Sequence, residues 1–277
     1  MEFFAFFGGI KEGVEIDLFD DLEEVILHQV LVNIEVYAML ISPSYLLEEP
    51  YRKFLIAIAR GDGKVLNVFR RAGVSETAGE ELLSELIRLH VVELEVSRET
   101  PLKQHPRHKL KKNLRNYRIQ SKIRFTLPFY RFWFGFVEPY RESIGRGKTE
   151  AFLQNFSWHQ DRCASLSFEQ LSNDLLADFF AKKDPLLSRG SFWDRHSEFD
   201  ILSVSRSGKI ILGECKFKGR KVCKSELNKL HEKAMHSNIP VSTYALFSKN
   251  GFSNELLQSK GEDLLLFDAD DFRQLLS

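Results

Sequence analysis

Two tripeptides carry the densest chemistry in this sequence of 277 residues: Glu198-Phe199-Asp200 and Glu214-Cys215-Lys216. Each reads as part of a strand, and Ser207-Gly208 between them reads as a turn. Residues i and i+2 of a strand share a face, so Glu198 should lie beside Asp200, and Glu214 beside Lys216. A hairpin would then gather three carboxylates and one ammonium in a small volume. Such a cluster is costly unless a divalent cation or solvent compensates it. Oxygen donors suit Mg²⁺ or Mn²⁺. That metal would polarise a phosphoryl oxygen and activate water, with Lys216 orienting the water or stabilising developing negative charge. The competing reading is two strand ends decorated with surface ion pairs. The apolar neighbours Ile210, Ile211, Leu212 and Phe217 favour a built site.

The elements that must position these residues follow from the surrounding pattern. From about residue 165 the chain alternates helix and strand: a helix over 165–182, strands over 198–205 and 209–217, and a helix over 224–237. A strand over 241–247, a helix over 252–259, a strand over 263–267 and a helix over 270–276 complete it. That order implies a mixed sheet with helices on its faces. Upstream, apolar residues recur at helical spacing over 20–47. Helices over 52–60, 64–72 and 76–90 are punctuated by Gly61, Gly63 and Gly73 and capped by Ser75. A short strand over 91–96, a polar wing over 98–116 and a returning strand over 116–120 make this a winged helix. Its third helix would be the groove reader. The aromatic run over 122–137 reads as a core helix, with base stacking by its rings as the lesser alternative. Phe192 and Trp193, beside Arg195, read as a lid on the sheet.

Net charge is zero, from 39 basic and 39 acidic residues, but unevenly spread. Residues 1–50 hold eleven acids and one base, whereas residues 101–148 hold thirteen bases and two acids. The basic block is either a phosphate-binding surface or the internal counterweight of the acidic segment.

Quoted together, the motifs resemble a known family. Asp200, Glu214 and Lys216 match the D…ExK pattern of the PD-(D/E)xK nuclease fold. Tyr117-x-Ile119, Phe132-Trp133-Phe134, Phe168-Glu169, Phe192-Trp193-Asp194 and Leu246-Phe247-Ser248-Lys249 look like the C-terminal half of archaeal-type ATPases, the region called DUF234. The resemblance covers roughly residues 50–277, and 1–50 more weakly. It implies an α/β protein: a helical winged-helix domain over 1–148, then a restriction-endonuclease-like mixed-sheet domain over 149–277. It also makes Glu169 a helix-borne metal ligand beside Asp200, Glu214 and Glu198. The P-loop ATPase of that family is expected to be lacking. Gly147-Lys148-Thr149 does not replace it, because Glu142 stands where a Walker A loop needs glycine.

The expected function is metal-dependent hydrolysis of DNA phosphodiester bonds. The alternative is a non-catalytic DNA-binding or regulatory protein that retains the fold. The expected partner is nucleic acid, DNA before RNA, with a partner ATPase or a second copy of the chain also open. Apolar runs reach only about six residues against the roughly 20 of a spanning helix, so no membrane partner is expected. The Phe-rich start has no basic n-region and does not read as a signal peptide. Cys163, Cys215 and Cys223 form no CxxC pair, which predicts reduced thiols and a cytoplasmic setting. A zinc set of Cys215, Cys223, His231 and His236 has no common spacing. His105 and His108 read as solvated.

Overall fold

A computed structural model describes residues 1–10, 16, 19–100, 105, 109, 112 and 117–276. Most of the expected wing, with His108, lies outside the described residues. The chain forms two compact units, one of residues 1–96 and 120–164, the other of 97–119 and 165–277.

The first unit is helical. It holds α1 (Glu2–Phe7), α2 (Leu22–Val25) running into a π-helical turn, and α3 (Ile34–Ala38). Then come α4 (Tyr51–Ala59), α5 (Val65–Ala72) and α6 (Glu76–Arg88). Gly73 ends α5 at φ +70°, a left-handed conformation that glycine adopts without Cβ strain. The Ser75 hydroxyl caps α6 by accepting from the Ala78 amide. After α6, β1 (Val92–Glu95) pairs antiparallel with β2 (Lys122–Phe125), and Lys64 bridges to Lys122 beside them.

The returning strand is therefore 122–125 rather than 116–120. Lys122-Ile123-Arg124-Phe125 alternates, with Ile123 and Phe125 buried, and Pro128 opens the next helix at its first turn. Helix α7 (Pro128–Phe132) and the π-helical turn over Trp133–Val137 bury all their rings. Phe132 packs on Phe6 with centroids 5.6 Å apart, and Phe136 on Phe156 at 5.3 Å. These rings form core and offer no stacking platform.

Glu138 is the polar centre of this unit. At 2% exposure it accepts from Arg52 Nε at 2.7 Å and from Trp133 Nε1 at 3.0 Å. Removing the carboxylate leaves the buried Trp133 indole N–H without this acceptor, while Arg52, a third exposed, keeps its contact to Glu49. Glu138→Ala should therefore cost about 1–3 kcal/mol in denaturant unfolding. A loss below about 1 kcal/mol would show that solvent reaches both donors.

Between α8 (Arg141–Gly145) and the sheet runs α9 (Glu150–Ala181), a helix that starts well before the expected residue 165. Its residues Phe152 and Phe156 belong to the first unit's core, and Phe168, Leu175 and Leu176 to the second's.

The second unit is a mixed five-stranded sheet. Strands β3 (Leu186–Ser188), β6 (Ile201–Ser205), β7 (Ile210–Lys216), β8 (Thr243–Ser248) and β9 (Leu264–Phe267) lie in that spatial order. β3, β6 and β7 are antiparallel, whereas β7, β8 and β9 are parallel. The parallel steps are made through α10 (Lys224–His236) and α11 (Asn254–Gln258). A two-stranded ribbon of β4 (Phe192–Trp193) and β5 (Glu198–Phe199) stands apart from the sheet. The last expected helix is a 3₁₀ segment, Asp271–Leu276.

The β7 side chains alternate between two cores. Ile211 joins Phe168, Leu175 and Phe247 on the α9 face, and Leu212 joins Leu227, Leu230 and Leu246 on the α10 face. A Cβ on Gly213 would meet Ile201 Cβ at 3.0 Å and the Ala245 carbonyl at 3.1 Å, so glycine lets the three central strands close up there. The three cysteines are unbridged, and among the described residues no helix is long and apolar enough to cross a membrane.

Candidate functional site

The register of β6 on β7 pairs Ile201 with Gly213. Carried one residue further, it sets Asp200 opposite Glu214, on the α10 face. Asp200 itself is a bend between β5 and β6, and its carboxylate accepts the Cys215 amide at 2.8 Å. Burial, and then the Glu214 charge, push the Asp200 carboxyl above the ordinary carboxylate range to about 6. Two carboxylates thus face each other at the end of the central strands.

Lys216 Nζ donates to Glu214 Oε1 at 2.6 Å and lies 3.5 Å from Glu226. Burial lowers the Lys216 pKa, but the hydrogen bond to Glu214 and the Glu214, Asp200 and Glu226 charges outweigh it, and the net direction is up. The ammonium therefore stays charged. Of the expected trio, Lys216 and Glu214 are in contact, and Asp200 lies opposite Glu214 in the register and bonds the amide of the next residue, Cys215.

The other two expected ligands come from different elements. The bend at Asp200 breaks the strand, so the i, i+2 rule does not carry over to Glu198. That residue is exposed in the ribbon, paired across from Trp193. Glu169 sits on α9; burial, then the Asp200 charge, then that of Glu169 push the half-buried Cys215 thiol up. Among the described residues, no three His, Cys, Asp or Glu side chains gather where one metal ion could be held, which also removes the zinc set. The donor set is the pair Asp200 and Glu214. Mg²⁺ fits that pair, because it takes one or two carboxylates and completes its shell with water and phosphate oxygens.

Helix α10 adds residues the strand pattern did not point to. Lys233 Nζ lies 3.5 Å from Glu214 Oε2, 3.4 Å from the Glu198 carbonyl and 5.8 Å from the Phe199 ring centroid. Glu226 takes Lys229 at 2.9 Å as well as Lys216, and the Lys229 hydrogen bond leads the causes that lower its pKa. The signal was available. A crossover helix after β7 must cover one sheet face, and Glu226, Lys229 and Lys233 recur on one side of it.

The charge surfaces can be placed as well. The exposed side of α6 presents Glu76, Thr77, Glu80, Glu81 and Ser84. Phosphates are repelled from such a face, so α6 does not suit the groove-reading role expected of it. Much of the basic block in the first unit is engaged internally. Arg141 pairs with Glu35 at 2.5 Å, Arg124 with Glu95, and Lys122 and Arg131 are buried. The ends of the expected wing are fixed to the second unit. Arg98 donates to the Gly190 and Ser191 carbonyls, and Tyr117 to Glu99 at 2.5 Å.

No curated protein and no solved structure matches the chain. Residues 133–230, which include Asp200, Glu214 and Lys216, match the family model DUF234, described as archaea bacterial proteins of unknown function.

Proposed function

We propose that the second unit is a metal-dependent nuclease acting on DNA. The observation that carries this reading is the Asp200–Glu214 pair, set face to face with Lys216 on the same carboxylate. The resemblance to PD-(D/E)xK nucleases supports it independently of the distances. Bound Mg²⁺ or Mn²⁺ would supply a Lewis acid and a water of lowered pKa. Asp200 and Glu214 would hold the cation. Lys216 stays protonated beside them and stabilises the negative charge that develops on the phosphoryl oxygens.

The first unit is a winged helix in this reading, with α4–α6 followed by the β1–β2 ribbon. Its acidic α6 directs nucleic acid to the second unit instead. The stretch 101–116 holds six Lys and Arg residues; of its flanking residues, Arg98 bonds the Gly190 carbonyl and Tyr117 lies under the Arg195 guanidinium at 5.7 Å. Purified protein should nick plasmid DNA with Mg²⁺ or Mn²⁺ and stop with chelator. A second reading, a nuclease-like domain that binds DNA without cutting it, is favoured by the ammonium already near each Glu214 oxygen. Binding without cleavage in either metal would select it.

A further inference from the structure

Glu214 is neutralised from two sides, and the two lysines are not equivalent. Lys216 comes from the same strand, makes the 2.6 Å contact and is 17% exposed at its side chain. Lys233 comes from the crossover helix, is 44% exposed and stands 3.5 Å off. Its surroundings are those of a cation site. One Glu214 oxygen and the Glu198 carbonyl oxygen lie within 3.5 Å. The ammonium therefore occupies a seat edged by the Glu214 carboxylate and the Glu198 carbonyl.

We propose that Lys233 holds the cation position of the metal-free site and that a divalent ion enters by displacing it. This rests on the nuclease reading of Asp200 and Glu214. Two facing carboxylates repel each other when both are charged, and a monovalent ammonium relieves part of that repulsion. A divalent ion relieves more of it and replaces the long contact to Lys233, while the shorter Lys216 contact to the other oxygen persists. Displaced Lys233 swings on a flexible four-carbon stem toward solvent, where a phosphate would meet it. Lys233 is thus a positioning residue that sets metal affinity and keeps the two carboxylates from being driven apart while the site is empty.

The readout is Mn²⁺ binding by calorimetry on the full chain, without substrate. Lys233→Met removes the competing charge and keeps the stem, so Mn²⁺ should bind about tenfold more tightly. Lys233→Arg keeps the charge and should stay within about threefold of the parent protein. Glu214→Gln should abolish binding in both the parent and the Lys233→Met background, which ties the signal to this site. Equal or weaker Mn²⁺ binding by Lys233→Met, with the parent binding normally, overturns the displacement role and leaves the nuclease reading standing. Absence of Mn²⁺ binding in both proteins overturns both.

Discussion

Glu214→Ala should abolish metal-dependent DNA cleavage, and Lys216→Ala should cut its rate by about 10³-fold while leaving Mn²⁺ binding in place. The two variants separate because the two side chains do different things. Glu214 stands opposite Asp200 in the β6–β7 register, so its loss halves the negative charge available to a divalent cation. The Lys216 ammonium contacts a Glu214 oxygen and the acidic residue Glu226 beside it. Its ammonium contributes through charge placed where the transition state becomes more negative. A thousandfold loss corresponds to about 4 kcal/mol of transition-state stabilisation, within reach of one well-placed cation. Calorimetry with Mn²⁺ and a plasmid-nicking assay on the same preparations check both halves. If both variants cut at the parent rate, the activity belongs to another protein or another site.

The sequence made the sheet legible because its signals were local. The strand over 209–217, the Ser75 cap before α6 and the Gly73 stop after α5 each act within a few residues, and each is where it was expected. The pair Asp200 and Glu214 was legible for the same reason, since one hairpin register sets them opposite each other. What escaped was set by tertiary structure. Glu198 fell out of the cluster because the chain bends at Asp200, and nothing in Glu-Phe-Asp announces a bend. Lys233 escaped because it reaches Glu214 from a helix 19 residues further on. The first half of α9 was missed because its apolar positions Phe152 and Phe156 serve one unit and Phe168 and Leu175 the other. The β2 strand was hidden inside an aromatic run whose later residues are helical. The acidic exposed face of α6 was in the sequence throughout, and became informative only once burial of Leu82, Leu83 and Leu86 showed which side was left outside.

The metal-free protein should be less stable at pH 7.5 than near pH 4.5 as far as Asp200 is concerned, and Asp200→Asn should remove that dependence. The carboxyl is raised in the fold to about 6, first by burial and then by the Glu214 charge. An unfolded chain returns it to about 3.9, so between those two values the native state binds more protons than the unfolded one. Stability from this group is therefore fully present below about pH 4 and is lost as pH rises through about 6. A shift of roughly two units corresponds to about 3 kcal/mol, and relaxation around the bend should reduce the measured figure to about 1–3 kcal/mol. Denaturant unfolding in chelator at both pH values, with the parent protein and Asp200→Asn, reads it directly. Other carboxylates titrate over the same range, so the difference between the two proteins is the quantity to compare. The variant should be the more stable at pH 7.5 and nearly equal to the parent at pH 4.5. Divalent metal should reverse the parent's disadvantage, because a cation favours the charged carboxylate and drives its pKa back down. Added Mn²⁺ should therefore stabilise the parent strongly at pH 7.5 and weakly at pH 5, where protons compete for Asp200. A parent and variant whose stabilities run parallel across this range would mean that Asp200 is neither raised nor facing Glu214, and the metal pair would fall with it.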